Sequence, residues 1–334
     1  MKAIVWTKYG SPDGLQLREV DKPTPKDNEI LIKIHASTVT AGDCEMRRLE
    51  LPLMLSFPVR LYAGLLRPKR ITILGQELAG EVVEVGKNVT AYKVGDQVFG
   101  TTGFRFGAYA EYICRPERPD DAQGTLAPKP SNLAYEEAAA VPTAGFEALH
   151  FLKKANIQSG KKVLIIGAGG SIGTFAIQLA KYFSAEVTGV DSAEKLDLIQ
   201  SLGANRVIDY TKEDYTKSGD TYDLIIDVVG KSSVVRRLKL LKEGGYYFLA
   251  YAGLSHILLS MWTSMTSTRK LKIESSSQKK DDLMFLKELL ETGKIRSLID
   301  KRYSLKQTSK AHQFVETGQK KGNVAIIVLE NGTT

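Results

Sequence analysis

Apolar and polar positions divide the chain into three stretches of different texture. Through the first third, short runs with a period of two are set off by Gly, Pro, Asp and Asn, the pattern of strands joined by turns. Ala3–Trp6, Leu15–Val20, Glu29–Thr40, Leu78–Val85 and Ala108–Cys114 are the expected strands. Past about Leu126 the period lengthens, and Tyr135–Ala140 and Phe146–Lys154 read as helices. Alternation of the two kinds of element then begins. It runs through strand Lys162–Ile166, helix Ile172–Phe183, strand Glu186–Val190, helix Ala193–Leu202 and strand Arg206–Ile208. Strand Asp223–Val228, helix Ser232–Leu241 and strand Tyr246–Tyr251 complete it. Strands separated by helices pair in parallel, so this stretch predicts an α/β, doubly wound sheet. From about Lys272 the texture shifts again, through helix Asp281–Thr292 to a last strand, Val324–Leu329. The expected organisation is a β-rich domain formed by 1–125 and 272–334, with an α/β domain, 126–271, inserted in it.

The sharpest local signal is VLIIGAGGSIGTFAIQLAK, Val163–Lys181. A β-branched apolar run turns through glycines straight into an amphipathic helix. Such a helix start presents unpaired N–H groups and the positive end of the helix dipole, which suits a pyrophosphate. The strict G-x-G-x-x-G string fails, because Ile172 stands where Gly167 and Gly169 require a third glycine. The variant A-x-G-x-x-G is met by Ala168, Gly170 and Gly173. Strand, turn and helix all fall in place, so Gly167, Ala168, Gly169, Gly170, Ser171, Ile172 and Gly173 form the expected phosphate cradle.

Composition narrows the setting. The 334 residues exceed one typical core. Cys44 and Cys114 are the only cysteines, which argues against a disulfide framework and excludes a four-cysteine zinc site. The start, MKAIVWTKYG, shows no apolar signal core, and a cytoplasmic protein is expected. No apolar run approaches the ~20 residues that span a bilayer. The net charge of +8 is spread over scattered lysines, so a solvated basic surface is expected rather than a nucleic-acid partner.

Three segments together are specific: GQELAGEVVEVGKNVTAYKVGDQVFG (Gly75–Gly100), AAAVPTAGFEALHFL (Ala138–Leu152) and the glycine turn. On them the chain resembles the medium-chain dehydrogenase/reductase superfamily, in its zinc-free quinone-reductase-like branch, over nearly its whole length. The resemblance implies a GroES-like catalytic domain, a Rossmann domain binding NAD(P)H, an active-site cleft and a homodimer. Zinc-using relatives place a cysteine, a histidine and another cysteine where this chain has Thr40, Gln76 and Thr143. Hydroxyl and amide oxygens replace thiolate and imidazole poorly, so no zinc is expected.

Without a Lewis acid, the chemistry implied is reduction of a small apolar quinone or α,β-unsaturated carbonyl, an acceptor that spreads the incoming charge into a carbonyl. Thr40, Asp43, Gln76 and Thr143 are the matching cleft positions; Glu45 stands where relatives often carry a tyrosine. An enoyl-thioester or alcohol/aldehyde reductase is the alternative on the same scaffold. A nucleotide-bound RNA- or membrane-binding protein is the non-enzymatic one.

The ribose end gives two signals. Asp191, about twenty residues beyond the glycine turn, suits the ribose hydroxyls of NAD. Ser192, Lys195 and Tyr210 match positions that bind the 2′-phosphate in NADPH-using relatives, and Val228, the last residue of the expected strand Asp223–Val228, is a further expected cofactor contact. Two unit charges 4 Å apart interact by about 1 kcal/mol in water and about 4 at a dielectric of 20, so exposure decides how far Asp191 repels a phosphate. Dual use with a slight NADH bias is expected.

Two apolar segments remain. Arg47–Arg70 mixes Leu, Met, Phe and Tyr with six cations opposed only by Glu50, and Leu254–Met265 is a second apolar stretch. A lid over a bulky acceptor, with Tyr62 and Trp262 as stacking groups, stands beside a dimer or core contact. Peripheral membrane contact is less favoured because Pro52 and Pro58 break any long helix. His35, His150, His256 and His312 show no metal-ligand spacing, and Cys44 reads as a small buried hydrophobe.

Overall fold

The computed structural model describes residues 1–49, 53–119, 121–230, 233–250 and 254–329. They form two compact units. The first comprises Met1–Thr143, Gln278–Thr292 and Ser297–Thr334, and the second Ala144–Ser277 and Gly293–Arg296.

In the first unit β1 (Lys2–Trp6) and β2 (Leu15–Glu19) make an antiparallel pair. β3 (Glu29–Thr38), α1 (Ala41–Arg48), α2 (Leu53–Ala63), β4 (Glu77–Val85), β5 (Gln97–Thr101), β6 (Tyr112–Pro116) and β7 (Leu126–Pro128) follow, then α3 (Tyr135–Ala139) and the start of α4 (Pro142–Lys154). Ile30, Ile32, Ile34, Leu78, Val82 and Tyr109 anchor its core.

The second unit is a six-stranded parallel sheet. Its strands are β8 (Lys162–Ile166), β9 (Glu186–Asp191), β10 (Arg206–Asp209), β11 (Tyr222–Asp227), β12 (Leu241–Leu249) and β13 (Lys270–Lys272), in the order β10-β9-β8-β11-β12-β13. This is the doubly wound dinucleotide order, with its reversal between β8 and β11. α5 (Ser171–Tyr182), α6 (Leu196–Ser201), α7 (Val234–Leu238) and α8 (Leu254–Thr266) connect or flank the strands. Val163–Ile166 are fully buried or nearly so, as a central parallel strand covered on both faces requires.

The chain then returns to the first unit through α9 (Lys280–Glu291), β14 (Ile299–Ser304), α10 (Thr308–Glu316) and β15 (Asn323–Ile327). The large sheet has the order β14-β15-β3-β4-β5-β7, with β6 also on β3.

Several boundaries differ from the sequence pattern. The first unit extends past 125 to Thr143, because α3 packs on it: the Tyr135 ring stacks on His35 with centroids 4.1 Å apart. The strand expected at Ala108–Cys114 begins at Tyr112. Residues 108–110 are instead taken up by core loops, with Tyr109 N–H donating to Leu74 O and Ile4 N–H to Tyr109 O. α2 runs through Pro58 as an eleven-residue helix rather than being broken there. One missing internal hydrogen bond is tolerated in so short an element. Glu50, Pro52 and the ends of two expected elements, Ser232 and Tyr251, lie outside the described residues.

Candidate functional site

The expected cofactor residues gather at the carboxyl ends of β8 to β11. The turn after β8 starts at Gly167, whose φ of +82° suits glycine; a Cβ there would stand 2.6 Å from Val228 Cγ2. At Gly173 a Cβ would meet Gly167 O at 2.5 Å, so this glycine lets α5 press against the turn. Gly170 differs. A Cβ there would touch only Gly167 O, at 3.4 Å, and no side chain caps the helix it begins. The open face at Gly170 and an N-terminal helix turn without a side-chain cap have the form that suits a pyrophosphate.

Two buried carboxylates flank this turn. Asp191 Oδ2 accepts from Gly169 N–H at 2.9 Å, while Oδ1 accepts from Ser192 N–H at 2.9 Å and lies 3.4 Å from Lys195 Nζ. Tyr210 N–H donates to Asp191 O at 3.2 Å, which sets the exposed Tyr210 ring beside the end of β9. On the other side, Asp227 Oδ1 accepts from the N–H groups of Val229 and Gly230, both at 3.0 Å. Asp227 Oδ2 accepts from Tyr247 Oη at 2.6 Å and pairs with Arg237. Val228 N–H donates to Ile166 O at 3.1 Å.

The expected catalytic residues converge within the first unit. Thr40 caps α1 and forms a capping box with Asp43: Asp43 N–H donates to Thr40 Oγ1 at 3.0 Å and Thr40 N–H to Asp43 Oδ2 at 3.0 Å. Thr40 Oγ1 also donates to Asp43 Oδ2 at 2.7 Å and stands 3.4 Å from Gln76 Oε1. Asp43 Oδ1 accepts from Gly75 N–H at 3.2 Å, so one carboxyl fixes both chain segments. Burial pushes Asp43 up to about 6, against the pull of its hydrogen bonds.

Thr143 belongs to a neighbouring knot that sequence reasoning missed. Its N–H donates at 2.7 Å to Oε1 of Glu77, a buried carboxyl whose Oε2 accepts from Thr38 Oγ1. Burial pushes Glu77 up to about 7. The signal was the acid Glu77 at the start of the apolar strand ELAGEVV, two residues after Gly75. Behind Asp43, Tyr109 Oη donates to Thr38 O at 3.1 Å and lies 3.2 Å from His312 Nε2, and His312 Nδ1 lies 3.4 Å from Cys44 Sγ. Burial lowers His312 to about 3 and raises the Cys44 thiol, so Cys44 packs as a small hydrophobe and not as a nucleophile.

The two stacking candidates lie in different units. The half-exposed Tyr62 ring is covered by Arg70, whose guanidinium is 4.4 Å from the centroid. Trp262 is exposed on α8 beside Leu258, Met261 and Met265. Among the described residues, no three His, Cys, Asp or Glu side chains are grouped to hold a metal ion, and no helix is long and apolar enough to cross a membrane. Thr40, Gln76 and Thr143 offer no thiolate or imidazole and do not fit a catalytic zinc.

A model of the alcohol dehydrogenase GroES-like domain matches residues 26–120, and one of a zinc-binding dehydrogenase matches 202–326. The chain belongs to the medium-chain dehydrogenase/reductase superfamily, in its quinone-oxidoreductase-like branch. It is 34% identical to the 2-methylene-furan-3-one reductase of Solanum lycopersicum, over 98% of this chain and 79% of that one. It is 30% identical, with the same coverage, to the NADPH-dependent alkenal/one oxidoreductase, chloroplastic, of Arabidopsis thaliana. The solved quinone oxidoreductase from Coxiella burnetii superposes with a TM-score of 0.87 at 30% identity, over 98% of this chain and 99% of that chain.

These relatives overturn the cytoplasmic expectation, since several are chloroplastic and others, including one from Bos taurus, mitochondrial. Free cysteines distinguish reducing from oxidising surroundings and do not single out one reducing compartment.

Proposed function

We propose that the chain is a NAD(P)H-dependent reductase that delivers hydride to a quinone or an α,β-unsaturated carbonyl, and that it works without zinc. The observation that carries this is the Thr40 hydroxyl, backed by buried Asp43 and beside Gln76, at positions where a zinc enzyme of this family needs metal ligands. The names of the tomato and Arabidopsis relatives support the acceptor class.

Bound nicotinamide supplies the hydride. The chain's own part is to hold the dinucleotide and to manage a proton. The N-terminal turn of α5 binds the pyrophosphate, with Gly170 leaving room for it. Thr40 and Gln76 offer a hydroxyl and an amide as hydrogen-bond donors to a developing enolate. Ionised Asp43 accepts the hydrogen bond of the Thr40 hydroxyl and so turns its hydrogen inward. Protonated, it donates to Thr40 Oγ1 and turns the threonine hydrogen outward, making the pair a proton relay.

The test is NADH and NADPH oxidation by chelator-treated protein with one quinone and one alkyl enone. Undiminished turnover is expected. Loss on chelation that zinc restores would overturn zinc-independence, and no turnover with either acceptor would overturn the acceptor class.

A further inference from the structure

Asp191 and Lys195 do not compete for the cofactor as separate residues. Both are at least nine-tenths buried, and the ammonium lies 3.4 Å from Oδ1. Asp191 is also committed to the backbone of Gly169 and Ser192. The Lys195 stem seals the same spot, for a Cβ on Gly169 would stand 2.7 Å from Lys195 Cδ and 3.2 Å from Asp191 Oδ2.

An acid in this arrangement cannot swing away without releasing the glycine turn. The lysine, on a four-carbon stem, can move its head group. We infer that the pair is a counter-ion exchange element: Asp191 stays clamped on the glycine turn in every state, while Lys195 leaves it for an adenosine 2′-phosphate and returns when the ribose carries a hydroxyl. The pair is neutral as a unit, so it rejects neither cofactor. For NADH, unused lone pairs of Asp191 accept the ribose hydroxyl. For NADPH, the attraction of Lys195 to phosphate is offset by losing Asp191 and by repulsion between Asp191 and the phosphate. Dual use follows from exchange rather than from the absence of a selector.

This deepens the dinucleotide reading and rests on it. The test is calorimetric binding of NADH, NADPH, adenosine 2′,5′-bisphosphate and adenosine 5′-monophosphate to wild type, Asp191→Asn, Lys195→Met and the double variant. Lys195→Met weakens NADPH by about tenfold and leaves NADH within about threefold. Asp191→Asn tightens NADPH and weakens NADH. The exchange requires coupling: the NADPH penalty of Lys195→Met grows at least about threefold further in the Asp191→Asn background, where the Asp191 carboxylate no longer competes for the lysine. An additive cycle would overturn the inference while leaving the dinucleotide reading intact. If the wild-type chain binds neither dinucleotide, both fall.

Should Asp191→Asn fail to fold, Lys195→Gln decides. Adenosine 2′,5′-bisphosphate then loses about tenfold or more and adenosine 5′-monophosphate almost nothing. Equal losses for the two nucleotides would overturn the exchange.

Discussion

Asp43 and Glu77 in the first unit, and Asp191 and Asp227 in the second, are all buried carboxyl groups that fasten backbone, yet their partners differ in kind. The first two are held by threonine hydroxyls and backbone N–H groups, with no cation bonded to either among the described residues. The second two each face a basic side chain as well, Lys195 or Arg237. A buried charge without a counter-ion is costly, so the proton is retained towards neutral pH, at about 6 for Asp43 and about 7 for Glu77. A carboxylate neutralised in place is a fixed clamp. Of these four acids, the two in the β-rich unit exchange a proton near neutral pH, and the two around the glycine turn hold shape against a basic partner.

The sharpest way to break this contrast is Asp227→Ala. It removes the carboxylate that faces a buried guanidinium and frees two loop N–H groups, so the loss in denaturant unfolding free energy is about 3–5 kcal/mol. A loss under about 1 kcal/mol would show that Asp227 is not a clamp. Next comes Gly170→Val, which fills the open face above α5. It weakens dinucleotide binding about a hundredfold while the unfolding midpoint barely moves, because only Gly167 O lies near the new Cβ. Unchanged affinity by calorimetry would displace the site from this turn.

Glu77→Gln sharpens the other half. Folded Glu77 binds its proton more tightly than the unfolded chain does. Its contribution therefore favours the fold below its ordinary value of 4.5 and is lost as pH rises through about 7. Buried neutral His312 acts oppositely, losing stability as pH falls from 6.5 towards about 3, so the difference between wild type and variant is the quantity to measure. The variant gains about 1–3 kcal/mol over wild type at pH 8, and the gain shrinks across this window. A pH-independent difference would mean that Glu77 does not titrate there. The smallest effect belongs to Asp43→Asn. Wild-type turnover limited by the proton step rises as pH falls through about 6, and the variant loses about tenfold near that pH together with the dependence. A retained pH profile would remove Asp43 from the relay.

The α/β half of the fold was legible because its elements are long, buried and periodic. Lys162–Ile166 is found as expected, and the helix after the glycine turn is displaced by a single residue. Illegible elements were those whose pattern is set by neighbours. β14, IDKRYS, carries no clean alternation because much of it is only half-covered, and β7 is three residues long. α1 has a legible start, with Thr40 and Asp43 at capping-box spacing, but the apolar pattern of β3 runs almost into it and hides the boundary. Within the site, Thr40, Asp43 and Gln76 could be read from the family pattern. Glu77, Tyr109 and His312 could not, since a buried hydrogen-bond network joins residues distant in sequence. The roles of Asp191 and Lys195 could be named singly, but their pairing needed the fold.

The position of β15 bears on how the chain is made. It lies between β14 and β3, paired antiparallel with β3, although the whole second unit is synthesised between β3 and β15. A ribosome releasing the chain from its N-terminus therefore delivers every strand of the dinucleotide sheet while β3 still presents an unsatisfied edge. The second unit can close first, and the first must wait for the final strand. A nascent chain stalled or clipped before Asn323 would hold a finished nucleotide fold beside an open, adhesive sheet.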